Sequence, residues 1–231
     1  MSIRMGLIRK KTDWSFDDFN AYWHGSHGAL ARRLPNLREY WQNPVVERLQ
    51  RGINFARGDW ELDGFSQLSF DDATQSSNAF SGSALASELV KDEQHFLGGL
   101  HIVTAEQYAV IPVPKDEERS TLLKRMSIIT RLPSMSEADF RNEWTTHGEF
   151  VQQMIGVSGY RQNVIIGRER VKGSACSYDE LPIDGVVEMW FKDAATLESA
   201  FSSAAGIRAM THAKSFLSEI TAFVVEERKI K

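Results

Sequence analysis

The chain has 231 residues and a net charge of −4, from 27 Lys and Arg against 31 Asp and Glu. Its basic residues are scattered rather than gathered into the stripe that phosphate binding needs, so no nucleic-acid partner is expected. No apolar run approaches the ~18 residues of a membrane span, so no membrane partner is expected either. The single cysteine, Cys176, excludes an internal disulfide and fits a reducing compartment. The opening MSIRMGLIRKK lacks the apolar stretch of a secretion signal, and a cytoplasmic location is expected.

In chain order, Met5–Lys11 reads as a short strand. Ser15 then opens a helix with Asp18 three residues on, the spacing of a capping box. Phe16, Phe19, Trp23, Leu30 and Leu34 follow at helical spacing, and Pro35 and Asn36 end the run. Leu37–Glu47 reads as a second strand and Gly64–Phe70 as a third. Asp71–Leu89 is mainly helix, and His101–Val113 is a fourth strand. Pro112–Thr121, charged and with two prolines, reads as a linker.

After it, the pattern returns. S-x-x-D, F-x-x-x-W, His-Gly and Y-x-Q-N run from Ser15 to Asn43 and again from Ser136 to Asn163, and DGFSQLSFDDA from Asp63 answers DGVVEMWFKDA from Asp184. A repeat this long is a duplicated domain rather than a solenoid unit. The expected divisions are residues 1–114, a linker at 115–121, and residues 122–231. The order β-α-β-β-α-β is that of a ferredoxin-like unit. The fold class is α+β: two such units, each an antiparallel sheet with its helices on one face, paired through the uncovered sheet faces as an internal pseudo-dimer.

The stretch Trp23-His24-Gly25-Ser26-His27-Gly28 carries the most chemistry. His27 lies four residues after Trp23 and eight after Phe19, on the apolar face of the helix; His147 lies three after Trp144 and seven after Phe140. A histidine there is either a buried neutral imidazole bonded to the backbone or a proton carrier in a pocket wall. In Tyr40-Trp41-Gln42-Asn43 and Tyr160-Arg161-Gln162-Asn163, strand alternation sends Tyr and Gln to one face and the other two to the opposite face. Tyr hydroxyl and Asn amide groups either polarise a substrate oxygen or satisfy nearby backbone. His24, His95 and Trp41 are further candidate substrate contacts. No ligand set of a zinc site, G-x-G-x-x-G, phosphate loop or G-x-S-x-G is present, so neither a metal nor a cofactor is expected.

Phe19 to Leu30 as F-x-x-x-W-x-x-x-H-G-x-L, followed by L-P-x-L-x-x-Y-x-Q-N from Leu34 to Asn43, resembles the EthD-like branch of the dimeric α/β-barrel superfamily. The resemblance covers both copies. It implies an internal α/β barrel, and chemistry without metal or nucleotide on small apolar cyclic compounds held between helix and sheet. Members include proteins tied to ether degradation, muconolactone-type isomerases, fungal polyketide dehydratases and anthrone oxygenases. It places the pocket histidine, tyrosine and asparagine on His27, Tyr40 and Asn43, expected to be catalytic, and by repeat on His147, Tyr160 and Asn163, expected as substrate contacts; Trp23 and Trp41 are expected to wall the pocket.

The expected function is a cofactor-independent lyase or isomerase acting through histidine on an aromatic or lactone-type compound. The alternatives are a cofactor-free oxygenase of a phenolic substrate and a non-catalytic binding or accessory module of aromatic catabolism. A further homodimer of the tandem chain is the only protein partner expected. The second copy is one residue shorter between tryptophan and histidine, a turn of about 100° on an α-helix. His147 is therefore expected out of register, and the first copy is expected to hold the larger pocket.

Overall fold

The computed structural model describes residues 2–81, 83–171 and 173–231. The first copy runs β1 (Ser2–Lys10), α1 (Phe16–Tyr22), a π-helical turn (Trp23–His27), α2 (Gly28–Ala31), β2 (Glu39–Glu47), β3 (Gly64–Phe70), α3 (Ala73–Ala79), α4 (Ala84–Phe96) and β4 (Leu97–Ile111). A short helix, α5 (Asp116–Arg119), connects it to β5 (Leu123–Arg131), α6 (Glu137–Gln152), β6 (Val157–Val171), β7 (Ser174–Ala175), β8 (Gly185–Phe191), α7 (Ala194–Ser202), α8 (Ala204–Ala213), β9 (Leu217–Val225) and β10 (Arg228–Lys229). The helix starts follow the sequence. Ser15 Oγ accepts from Asp18 N at 3.0 Å and Ser136 Oγ from Asp139 N at 3.1 Å, which satisfies an otherwise orphaned amide in each first turn. The helical stretch expected over Asp71–Leu89 is two helices, capped by Asp72 and by Ser83.

The strand order β2-β3-β1-β4-β6-β8-β5-β9 closes when β9 pairs with β2. Both joins are of one kind: the last strand of each copy pairs antiparallel with the second strand of the other. That exchange makes the chain a pseudo-two-fold dimer of itself, and closure leaves no main barrel strand as a free edge. The two sheets therefore meet edge to edge as well as face to face.

Closure divides every strand between two environments, because successive side chains point to opposite faces. On β1, Ile3, Met5 and Leu7 join the barrel interior, where Phe65 and Phe223 pack with ring centroids 5.4 Å apart. Arg4, Gly6 and Ile8 face the helices. One end of the interior is polar. Lys124, 1% exposed, reaches Glu188 at 2.7 Å, Glu227 at 2.6 Å and Asn43 Oδ1 at 2.9 Å. Glu188 also accepts two bonds from Arg161, at 2.9 and 2.8 Å. Over this end lies the connecting helix α5, with the Arg119 guanidinium 4.5 Å from the Trp41 ring centroid.

The Asp-Gly repeat acquires a packing reason here. Gly64 and Gly185 begin β3 and β8, and a Cβ at either would overlap ring carbons of Trp23 or Trp144. Each tryptophan, at most 1% exposed, thus packs its ring against a glycine of the sheet. Gly64→Ala and Gly185→Ala are each expected to cost about 1–3 kcal/mol by overpacking, read as a lowered urea midpoint with an unchanged slope.

Candidate functional site

Two cavities lie outside the barrel, one per copy, between the helices and the sheet. The first is lined by Trp23, His27, Tyr40, Leu34, Leu89 and Phe96 among others, and the second by the counterparts Trp144, His147 and Tyr160. The atom-free volume, open mouth included, is about 510 Å³ in each. The expectation of a larger first pocket is not met.

Nor is His147 out of register. The extra residue of the first copy is taken up in the π turn Trp23–His27, whose closing amide, Gly28 N–H, reaches back to Trp23 O; α6 runs through the same region as an uninterrupted α-helix. A π turn holds one residue more than an α turn at nearly the same length. Both histidines therefore reach equivalent places, each against a phenylalanine: His27 5.2 Å from Phe96 and His147 5.4 Å from Phe216, centroid to centroid.

The Y-x-Q strand positions explain how the helix is held. Gln42 Nε2 donates to Trp23 O at 2.7 Å and to the Tyr40 hydroxyl at 2.8 Å, and Gln162 repeats both bonds to Trp144 O and Tyr160 at 2.7 and 3.0 Å. Asn43 and Asn163, expected beside the histidines, are on the other face. Asn43 Nδ2 donates to Phe65 O at 3.2 Å and Asn163 Nδ2 to Val186 O at 2.8 Å, inside the barrel. Trp41 is inside too, under Arg119. Strand alternation allows nothing else once Tyr40 and Gln42 face the helix. His24 is exposed on the π turn, and His95 is exposed against Trp14 and Tyr22; neither lines a cavity. Of the expected residues, the structure brings together Trp23, His27 and Tyr40 in one cavity and Trp144, His147 and Tyr160 in the other.

What the sequence reading missed is the partner of each histidine. His27 Nδ1 lies 2.6 Å from Asp92 Oδ2, and the Tyr22 hydroxyl donates to Asp92 Oδ1 at 2.6 Å. His147 Nδ1 lies 3.2 Å from His212 Nδ1, and His212 Nε2 lies 3.3 Å from Glu143. Asp92 and His212 stand 65 residues after their histidines, so the copies differ at one shared position. A signal for Asp92 was present: it lies three residues after Leu89 and four before Phe96, a carboxylate on the apolar face of α4.

Electrostatics follow from these partners. Burial opposes ionisation of Asp92, but the hydrogen bonds from His27 and Tyr22 outweigh it and hold the carboxyl below its ordinary range. Tyr22 is raised to about 12, chiefly by its bond to that carboxylate. Burial raises Tyr40 and lifts Tyr160 to about 12. His147 is lowered to about 4 by burial and by the neighbouring His212. With Nδ1 committed to Asp92, the His27 nitrogen left for the cavity is Nε2. In the same cavity the buried Trp23 indole N–H lies towards the Tyr40 hydroxyl, and in the second copy Trp144 Nε1 donates to the Tyr160 hydroxyl at 3.1 Å. Among the described residues no group of three His, Cys, Asp or Glu side chains could hold a metal ion.

The EthD domain family matches the sequence twice, over residues 11–99 and 132–219. The chain belongs to that family. Comparison with curated proteins finds no match. Among solved structures, the EthD chain is similar to an anthrone oxidase-like protein, with a TM-score of 0.67 at 7% identity over 99% of this chain and 93% of that one. It is also similar to monooxygenase candidates from Fusobacterium nucleatum (TM-score 0.60, 9% identity, 100% and 92% covered) and Lactobacillus acidophilus (0.56, 7%, 100% and 93%). At these identities the likeness is one of fold. No helix of the EthD chain is long and apolar enough to cross a membrane.

The His147 shift has a consequence for stability. An unfolded histidine titrates near 6.5, the folded one near 4, so between these values the unfolded chain binds more protons. The stability tied to a neutral His147 is fully present above about pH 6.5 and falls as pH drops towards about 4, by at most about 1.4 kcal/mol per pH unit. Urea unfolding at pH 7, 6 and 5 reads this slope, and His147→Gln is expected to flatten it.

Proposed function

We propose that the EthD chain is an enzyme whose first cavity moves a proton on a small, largely apolar cyclic compound, with His27 as the base. The observation that carries this reading is the 2.6 Å contact between His27 Nδ1 and the Asp92 carboxylate at the wall of that cavity. A carboxylate on Nδ1 fixes the imidazole tautomer, leaves the Nε2 lone pair facing outwards, and stabilises the imidazolium that forms when a proton is taken. Tyr22 orients the carboxylate from its other oxygen. The Tyr40 hydroxyl, which accepts from Gln42 and has Trp23 N–H directed at it, keeps its own proton to offer beside the His27 imidazole. That hydroxyl suits an oxygen that gains negative charge as the substrate proton leaves. Arg4, the cationic residue of this cavity, is neutralised by Glu169 at 2.5 and 2.7 Å, which favours an uncharged substrate such as a phenol, a cyclic ketone or a lactone.

Proton abstraction begins either of two outcomes. Expulsion of a leaving group or return of the proton elsewhere makes the reaction that of a lyase or isomerase. Transfer of electrons from the deprotonated, electron-rich ring to molecular oxygen makes it that of a cofactor-free oxygenase. The second has the support of the anthrone oxidase-like and monooxygenase-candidate neighbours, though at a likeness of fold alone. A panel of phenols, anthrone-type ketones and lactones assayed with an oxygen electrode separates the two. On a substrate that turns over, His27→Gln and Asp92→Asn are each expected to lower kcat by about two to four orders of magnitude, with folding checked by circular dichroism. Full activity in His27→Gln would end this reading, and binding without turnover across the panel would leave an accessory module in its place.

A further inference from the structure

The second cavity differs from the first in a way the repeat makes visible. Arg4 on β1 and Arg125 on β5 occupy corresponding strand positions, and both point from the sheet towards the helices. Both lie on a phenylalanine, Arg4 4.8 Å from the Phe80 centroid and Arg125 4.8 Å from that of Phe201. Arg4 has a bidentate carboxylate partner in Glu169. Arg125 has none among the described residues. Its Nε donates to Ser127 Oγ at 3.3 Å and its Nη1 to Arg51 O at 2.8 Å. Arg51, whose carbonyl Arg125 meets, pairs its own side chain with Glu47 and Glu198. Arg125 is nevertheless 3% exposed and lines the cavity.

A guanidinium has five N–H donors in a planar fork, and only two contacts are made here. Burying such a cation without an anion costs several kcal/mol. Burial lowers the Arg125 pKa to about 9, still above neutrality, so the charge persists at pH 7. The other polar groups of the cavity do not answer it. His147 is neutral there. The Tyr160 hydroxyl accepts from Gln162 and Trp144 and therefore has a proton to give rather than a charge to share. The remaining wall is apolar, with Ile129, Val151, Met154, Met189, Leu217 and Ile220. A cavity with one uncompensated fork-shaped cation, a hydroxyl donor and apolar walls is complementary to a carboxylate carried on an apolar body.

We infer that the second cavity is a binding site for a small apolar carboxylic acid, whose carboxylate supplies the counter-ion that Arg125 lacks. The site is separate from the His27 cavity and its occupancy does not depend on the reaction proposed there. The two copies have then diverged in ligand charge, the first taking neutral molecules and the second anionic ones.

Benzoate titrated calorimetrically into the full chain at pH 7, with benzamide as its uncharged counterpart, tests this. Benzoate is expected to bind at least about tenfold more tightly than benzamide, and Arg125→Met to weaken benzoate by about 10- to 100-fold, the worth of charge-assisted hydrogen bonds. Benzamide affinity should change little in that variant. Arg125→Lys, which keeps the charge and loses the fork, should fall between the two. Because the benzoate-to-benzamide preference is read on the unaltered chain, the test stands even if a variant does not fold. Equal affinity for the two, no benzoate binding at millimolar concentration, or a benzoate affinity that falls in His27→Gln and persists in Arg125→Met would each overturn the inference.

Discussion

Closure of the barrel is the constraint on which everything else depends. Eight strands whose edges are all paired have only two places for a side chain, inside the barrel or under the helices. The inside is filled, apolar at one end and a Lys124–Glu188–Arg161 network at the other. Breaking one partner of such a network strands the remaining charges in a place without water. The two histidine-lined cavities therefore lie on the helix-facing side. Their floors are alternate residues of the four strands of each copy, among them Arg4, Gly6, Tyr40 and Leu68 in one and Arg125, Ser127, Tyr160 and Met189 in the other.

Duplication then gives two sites one frame and lets their chemistry drift apart. The frame is kept: a tryptophan packed against a glycine, a glutamine tying the helix carbonyl to the strand tyrosine, and a histidine against a phenylalanine. The differences lie one contact further out. Asp92 holds Nδ1 of His27 with a carboxylate, whereas burial beside His212 leaves His147 neutral. Glu169 neutralises Arg4, and Arg125 has no such partner. Each difference changes the charge a ligand would meet while leaving the packing of the frame intact, which is why the two cavities have equal volume.

The π turn shows how a length change in the middle of a helix can be harmless. One residue added to an α-helix rotates everything after it by about 100°. Here the wider turn at Trp23–His27 absorbs the residue locally, and His27 and Gly28 resume the register that His147 and Gly148 hold without it.

The sequence by itself determined the duplication, the β-α-β-β-α-β order, the Ser15 and Ser136 caps, and the histidines on apolar helix faces, because each of these is a local periodicity or a repeated spacing. It also held the fact that Asn43 cannot share a face with Tyr40, since alternation is strict within a strand. Only the tertiary structure decided which of those faces is the cavity, that Asp92 and His212 complete the histidine pairs across 65 residues, that Glu169 from one copy neutralises Arg4 of the other, and that the extra residue near His27 is stored as a π turn. Those outcomes depend on which distant surfaces pack together when the barrel closes, and no spacing within a single element encodes that choice.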